Sequence, residues 1–109
     1  AWKPLENQPG FYSEYAREYT ERWSAMNLMV RDLGFAEPAD SSWPEIALRF
    51  TLAQPGVHTA IIGTTRTTHA IANITAARKG PLPSAAVAAI RSAFRLAAAE
   101  SSETWQGLT

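Results

Sequence analysis

The chain contains no cysteine and only two histidines, His58 and His69. Without thiols it can form neither a disulfide framework nor a thiolate metal site, and two histidines eleven positions apart are a poor basis for a metal centre. Basic residues number 10 and acidic residues number 10, so no basic excess is available to bind the phosphates of a nucleic acid. We therefore expect neither a metal nor a nucleic-acid partner.

Long apolar runs are also missing. No uninterrupted apolar stretch approaches the length of a membrane-spanning helix, and the N-terminus lacks the basic-then-apolar order of a signal peptide. We therefore expect a cytoplasmic protein without membrane contact. The sequence starts at Ala1 without an initiator methionine, from which we expect a processed or truncated product of a longer protein.

What is present is the composition of an ordinary folded domain. The chain has 109 residues, of which 46% are hydrophobic and 18% charged, and these values fit one small globular domain. Apolar residues recur mostly every three or four positions, which predicts a mainly α-helical chain. The predicted helices cover residues 12–33, 43–54, a region around 71–77, and a last region from residue 84 onward.

Local signals place the ends of these helices. Gly34 is positioned to stop the first helix, and Pro55 with Gly56 must end the second. The stretch Ser42-Trp43-Pro44-Glu45 has the form of a capping box, in which the serine caps the helix and the glutamate bonds back to it. We therefore predict that Ser42 caps the second helix and that Pro44 lies in its first turn.

One segment, residues 57–62, predicts a strand. It is a short apolar, β-branched run bounded by glycine on both sides, as in a strand buried on both faces. Such a strand needs neighbours on both edges for its backbone N–H and C=O groups, and no second strand of comparable quality occurs in the chain. A helix–strand–helix order is typical of a parallel-sheet protein, so we expect further strands from missing sequence or from other copies of the chain.

The turn after this strand carries an unusual set of polar residues. A strand that ends at Gly63 and enters a helix exposes backbone N–H groups that favour an anion. Arg66 adds a planar guanidinium group that can hold a phosphate. His69 and Asn73 lie one helical turn apart, where they could touch a base or ribose attached to that phosphate. Four threonines add hydroxyl donors: Thr64, Thr65, Thr67 and Thr68.

The same residues also fit a purely structural interpretation. Threonines are common at the start of a helix, where they cap it, and an arginine in a loop is usually solvated. His58, within the predicted strand, is a packed or edge residue on this interpretation rather than a catalyst. Spacing alone leaves the phosphate pocket and the capped helix as open alternatives.

The stretch "WPEIALRFTLAQPGVHTAIIGTTRTTHAIANI", together with "PLP" at residues 81–83, resembles the C-terminal segment of aldo-keto reductases. The resemblance implies an α/β fold, the C-terminal portion of a (β/α)8 TIM barrel that in total needs about 250 residues. It divides the chain into residues 1–10, a loop after barrel strand 7; 11–40, a helix and loop insertion; 41–83, helix 7, strand 8 and helix 8; and 84–109, a C-terminal helix and tail.

The resemblance also implies NADP(H) as cofactor and a carbonyl compound as substrate of the complete enzyme. By position, Gly63, Thr64, Thr65 and Arg66 match the turn that holds the 2′-phosphate of the cofactor. His69 stands where a glutamine or arginine is usual, and Asn73 matches the asparagine on the adenine side. Ala72 departs from the family pattern, which often has an acidic residue there.

No residue of this chain matches the tyrosine, lysine, aspartate and histidine with which the family reduces carbonyls. We therefore predict no catalytic residue here and no activity for the chain alone. The alternative hypothesis is a non-catalytic helical interaction module that binds no nucleotide, in which the glycine-threonine turn only caps a helix.

Overall fold

The computed structural model describes residues 10–36, 39–102 and 104–105, and the side chains of 11–15 and 39–41 lie outside this description. The regular structure of the described residues consists of four α-helices and one 3-10 helix: α1, Gly10–Ala25; the 3-10 helix, Val30–Leu33; α2, Ala39–Leu52; α3, Thr67–Arg78; and α4, Ser84–Glu100. None of the helices in the described ranges is long and apolar enough to span a bilayer. The loop predicted at residues 1–10 falls, except for Gly10, outside the described residues.

The core lies where α2, the 3-10 helix and α4 meet. Val30 and Ile46 are the most deeply buried side chains, at 0% and 1% exposure. They belong to one apolar cluster, which continues with Leu33, Leu82, Ala86 and Ile90. At its margin the rings of Trp23 and Trp43 pack edge to face, with centroids 4.8 Å apart. Through this cluster α2 packs against the 3-10 helix and α4.

The first helix is shorter than the sequence predicts. It ends at Ala25, and Asn27 adopts a left-handed backbone conformation with φ 46°. The chain then forms the 3-10 helix, whose start is stabilised by the Asp32 carboxylate accepting the Met29 N–H at 2.9 Å. Gly34, with φ 80°, ends this second short helix. Val30 and Leu33 are buried, but the prediction of one continuous helix to Leu33 is wrong.

The predicted start of α2 is also wrong. The helix begins at Ala39, so Pro44 lies inside it instead of in its first turn. The Ser42 hydroxyl donates to the Ala36 carbonyl at 2.8 Å rather than capping the helix. Glu45 forms ion pairs with two cations and does not bond back to Ser42. The capping-box pattern is therefore present in sequence but is used for other contacts.

The expected strand at residues 57–62 is not formed, and the described part of the chain is helical without any strand. Residues 58–65 make no backbone–backbone hydrogen bond with another described residue. Ile61 is 98% exposed and Ile62 46% exposed. A strand is stabilised by the ladder that it forms with its neighbours, and no neighbour exists among the described residues.

Candidate functional site

Helices α2 and α3 and the segment 58–64 enclose open space on one side of the core. Two adjoining cavities, of about 490 Å³ and 1080 Å³, are found there. Leu48 of α2, Ile62 of the segment and Asn73 of α3 line both of them. The space is bordered by many apolar side chains and by a few polar ones from α2, the segment and α3, and its size is that of a small-molecule site.

Four of the six residues predicted from the sequence border this space. Gly63, Thr64, His69 and Asn73 line the larger cavity. The remaining two, Thr65 and Arg66, are exposed at the start of α3 and do not line it. The structure thus brings four of the six predicted residues to one cavity and leaves Thr65 and Arg66 outside its lining.

Thr64 and Arg66 form a closed turn. The Arg66 N–H donates to the Thr64 hydroxyl oxygen at 3.2 Å, and the same hydroxyl lies 3.3 Å from the Arg66 carbonyl, to which it can donate. Arg66 has extended backbone angles, φ −119° and ψ 126°, and is the residue that precedes α3. Its carbonyl accepts the N–H groups of His69 and Ala70, both at 3.1 Å. Thr64 thus shapes the turn, and its hydroxyl is already engaged.

The start of α3 is electrostatically suited to an anion. The N–H groups of Thr67 and Thr68 lie in the first turn, where a helix has no carbonyl to pair them, and neither donates to another described residue. The first turn contains no acidic residue. The Arg66 guanidinium is exposed and makes no ion pair among the described residues. The helix dipole and this cation act in the same direction.

A second polar cluster lies at the other end of α3 and was not predicted from the sequence. Glu45 accepts from the Arg49 Nη1 and the Lys79 Nζ, each at 2.8 Å. The hydrogen bond from Lys79 lowers the pKa of Glu45 most, and Arg49 adds to this effect against the opposing influence of burial. The spacing of four positions between Glu45 and Arg49 indicates an ion pair on one helix face. The contact of Glu45 with Lys79 spans 34 positions, so no local pattern indicates it.

Arg49 also binds the backbone of the turn that follows α3. Its Nε donates to the Gly80 carbonyl at 3.0 Å and its Nη2 to the Pro81 carbonyl at 3.2 Å. In return, the Leu82 N–H donates to the Arg49 carbonyl at 3.1 Å. The guanidinium carbon lies 5.9 Å from the centre of the Phe35 ring. We call Glu45, Arg49 and Lys79 with these backbone contacts the α2–α3 clamp.

Within the described ranges, no group of three or more histidine, cysteine, aspartate or glutamate residues is placed to hold a metal ion. His58 is exposed and lines the smaller cavity.

Comparison with known proteins gives one finding. The family model described as the aldo/keto reductase family matches residues 3–95. No curated protein and no solved structure matches the chain. The family match covers most of the sequence, including the whole segment that carries the resemblance, and it confirms that resemblance. The chain therefore belongs to the aldo/keto reductase family, a family of oxidoreductases whose complete members fold as TIM barrels.

Proposed function

We propose that this chain is the C-terminal, cofactor-binding part of an NADP(H)-dependent aldo-keto reductase that reduces carbonyl compounds by hydride transfer. One observation carries the proposal: Arg66, exposed and without an ion-pair partner among the described residues, stands at the N-terminus of α3 near a cavity of about 1080 Å³. Membership of the family supports it. A cytoplasmic location and the division into residues 1–10, 11–40, 41–83 and 84–109 belong to the same proposal.

The residues at the start of α3 fit a phosphate group. The Arg66 guanidinium can hold two phosphate oxygens at once, and the N–H groups of Thr67 and Thr68 are unpaired among the described residues. Thr65 adds an exposed hydroxyl donor. Thr64 contributes by closing the turn. In this proposal the phosphate is the 2′-phosphate of NADP(H), and Arg66 supplies the charge that favours NADP(H) over NAD(H).

The adenosine portion of the cofactor would lie against α3 in the larger cavity. His69 and Asn73 line that cavity four positions apart, and neither side chain makes a hydrogen bond to another described residue. Gly63 borders the same space. When bound, NADPH would supply the hydride that reduces the carbonyl carbon and would leave as NADP⁺. The residues of this chain bind and orient the cofactor and take no part in proton transfer.

The catalytic tyrosine, lysine, aspartate and histidine would come from other parts of the barrel, so the chain alone is proposed to be inactive. The same source would provide neighbours for residues 57–62, whose backbone lacks them among the described residues. Either missing sequence or other copies of the chain could provide these strands. The exposed side chains of Ile61 and Ile62 would be covered in that assembly.

Titration of the chain with 2′,5′-ADP tests the proposal. We expect amide chemical shift changes centred on residues 64–73, and a much weaker response to 5′-AMP, which lacks the 2′-phosphate. The Arg66→Ala variant should lose most of the difference between the two ligands. Arg78→Ala, at the other end of the same helix, is the matched control and should keep it. Equal responses to both ligands in the unaltered chain would refute recognition of a 2′-phosphate.

The exposed isoleucines Ile61, Ile71 and Ile74 favour a second candidate function, the non-catalytic interaction module. Such a module needs an apolar surface but no anion site. The same titration distinguishes the two candidates, because an interaction module would show no change at residues 64–73 with either nucleotide.

A further inference from the structure

Helix α3 is attached to the rest of the described structure mainly at its C-terminal end. Ala76 is the buried residue of this helix. Just beyond it, Lys79 pairs with Glu45, and the Gly80 and Pro81 carbonyls accept from Arg49. Four hydrogen bonds of the α2–α3 clamp therefore act within four residues of the end of the helix, counting the Leu82 N–H bond to the Arg49 carbonyl.

The N-terminal half of the helix has much less support. Thr67, Thr68 and His69 are exposed. In this half of the helix, Ala70 borders the smaller cavity and His69 and Ala72 border the larger one, so the space between it and α2 is not filled by side-chain packing. Since the segment 58–65 makes no backbone–backbone hydrogen bonds among the described residues, it does not anchor this end either.

A helix held at one end acts as a lever. Thr67 and Lys79 are twelve positions apart, which corresponds to about 18 Å along the helix axis. A rotation of about 5° around the clamped end would therefore move the first turn of α3 by roughly 1.6 Å. Displacements of this size are enough to misalign a charge-assisted hydrogen bond, whose length varies by only a few tenths of an ångström.

We propose that Arg49, oriented by Glu45, is a positioning residue that sets the place of the phosphate-binding turn by clamping the opposite end of α3. This inference rests on the proposed function, since it concerns the geometry of the same nucleotide site. Arg49 lies on α2 and acts through the backbone carbonyls of Gly80 and Pro81.

The clamp requires an arginine for geometric reasons. Three nitrogen atoms of Arg49 donate in three directions at once: Nε to Gly80, Nη2 to Pro81 and Nη1 to Glu45. A lysine has the same charge but only one donor atom, so it can keep the ion pair with Glu45 and loses the fork on the two carbonyls. Arg49→Lys therefore separates the charge from the clamping geometry.

Residual dipolar couplings of the ligand-free chain test the clamp directly, since they report the orientation of α3 relative to α2. We expect Arg49→Lys to change or reduce the couplings of α3. The couplings of α2 and α4 should still fit one common orientation of these two helices. Arg91→Lys is the matched control, because Arg91 binds the Gln54 side chain outside the clamp. Lys79→Met, which removes the half-exposed ion pair of the clamp, is a second variant for the case that Arg49→Lys does not fold. It should change the orientation of α3 in the same direction as Arg49→Lys, but by a smaller amount.

The second measurement is the affinity for 2′,5′-ADP relative to 5′-AMP. We expect Arg49→Lys to weaken 2′,5′-ADP binding about tenfold and 5′-AMP binding less, because the misplaced group is the phosphate turn. A merely structural role for Arg49 would lower both affinities by the same factor and leave their ratio unchanged, which would overturn the inference. Unchanged α3 couplings in both variants would overturn it as well. If the unaltered chain does not bind 2′,5′-ADP, the proposed function fails, and the ligand-free couplings still decide whether the clamp sets the position of α3.

Discussion

The Nε atom of Arg49 and the carbonyl oxygen of Gly80 lie 3.0 Å apart, although the two residues are separated by 31 positions in the sequence. Through this bond a side chain of α2 holds the turn that follows α3. The Arg49 side chain is only 13% exposed and also pairs with Glu45. Charge-assisted bonds in such a half-buried setting are stronger than those between neutral partners or at an open surface.

Replacing Arg49 with alanine should therefore destabilise the chain. The change leaves two carbonyls and the Glu45 carboxylate without their partner, and we expect the free energy of unfolding to fall by about 3 kcal/mol. Urea denaturation measures this. Arg78→Ala, which removes an exposed arginine from the last turn of α3, should cost less than about 0.5 kcal/mol. Equal losses in the two variants would contradict the role given to Arg49.

The ion pairs of Glu45 should make stability depend on pH. Because the pKa of Glu45 in the folded chain is lowered from its ordinary value of 4.5, the stabilisation is fully present above pH 4.5. It is lost as the pH falls from there through the lowered pKa, since protonation removes the negative charge that Lys79 and Arg49 bind. Unfolding measurements on the unaltered chain and on Glu45→Gln should differ most at neutral pH and converge below pH 4.5. If the difference in unfolding free energy between the two proteins stays constant over this pH range, the carboxylate charge of Glu45 does not stabilise the fold.

Arg66 should determine cofactor preference in the assembled enzyme. In the proposed function the Arg66 guanidinium binds the 2′-phosphate through a charge-assisted contact worth roughly 1.5–3 kcal/mol, so Arg66→Ala should weaken NADPH binding on the order of 10- to 100-fold. NADH lacks the 2′-phosphate, and its binding should change little. Fluorescence titration with each cofactor measures the two affinities, and Arg78→Ala serves as the control. Equal losses for NADPH and NADH would exclude the assignment.

Pro44 offers a test of where α2 begins. Inside a helix a proline lacks the N–H that would bond to the preceding turn, so Pro44→Ala should stabilise the chain by about 1–3 kcal/mol if the helix starts at Ala39. If the helix instead started at Ser42, the proline would lie in the first turn, and the same change would give no gain. Pro55→Ala, in the turn after α2, is the control and should lower stability slightly through the unfolded state.

The helices and the candidate site follow from patterns that are local in sequence. The apolar spacing predicts the four helical regions, and the polar turn after Gly63 predicts a group of residues of which four border one cavity. Each of these patterns involves residues within about one or two helical turns of each other. The assignment of those residues to a nucleotide stays a prediction.

Other features depend on partners that local sequence does not contain. The run 57–62 has the composition of a buried strand, but its conformation depends on neighbouring strands. The start of α2 was misplaced because Ser42 and Glu45 find partners in Ala36 and Lys79, which compete with the capping box. The contacts of Arg49 with Gly80 and Pro81 are directed at backbone oxygens, which every residue possesses, so no residue type signals them.

The turn between Thr64 and Arg66 is closed by atoms of those two residues alone. Its shape therefore does not depend on the strand ladder that residues 57–62 lack. This segment loses its conformational entropy when the chain folds. Binding of a ligand at this turn therefore does not have to offset that loss. The shape of the candidate phosphate-binding turn is thus set by a three-residue stretch of sequence, without strand neighbours.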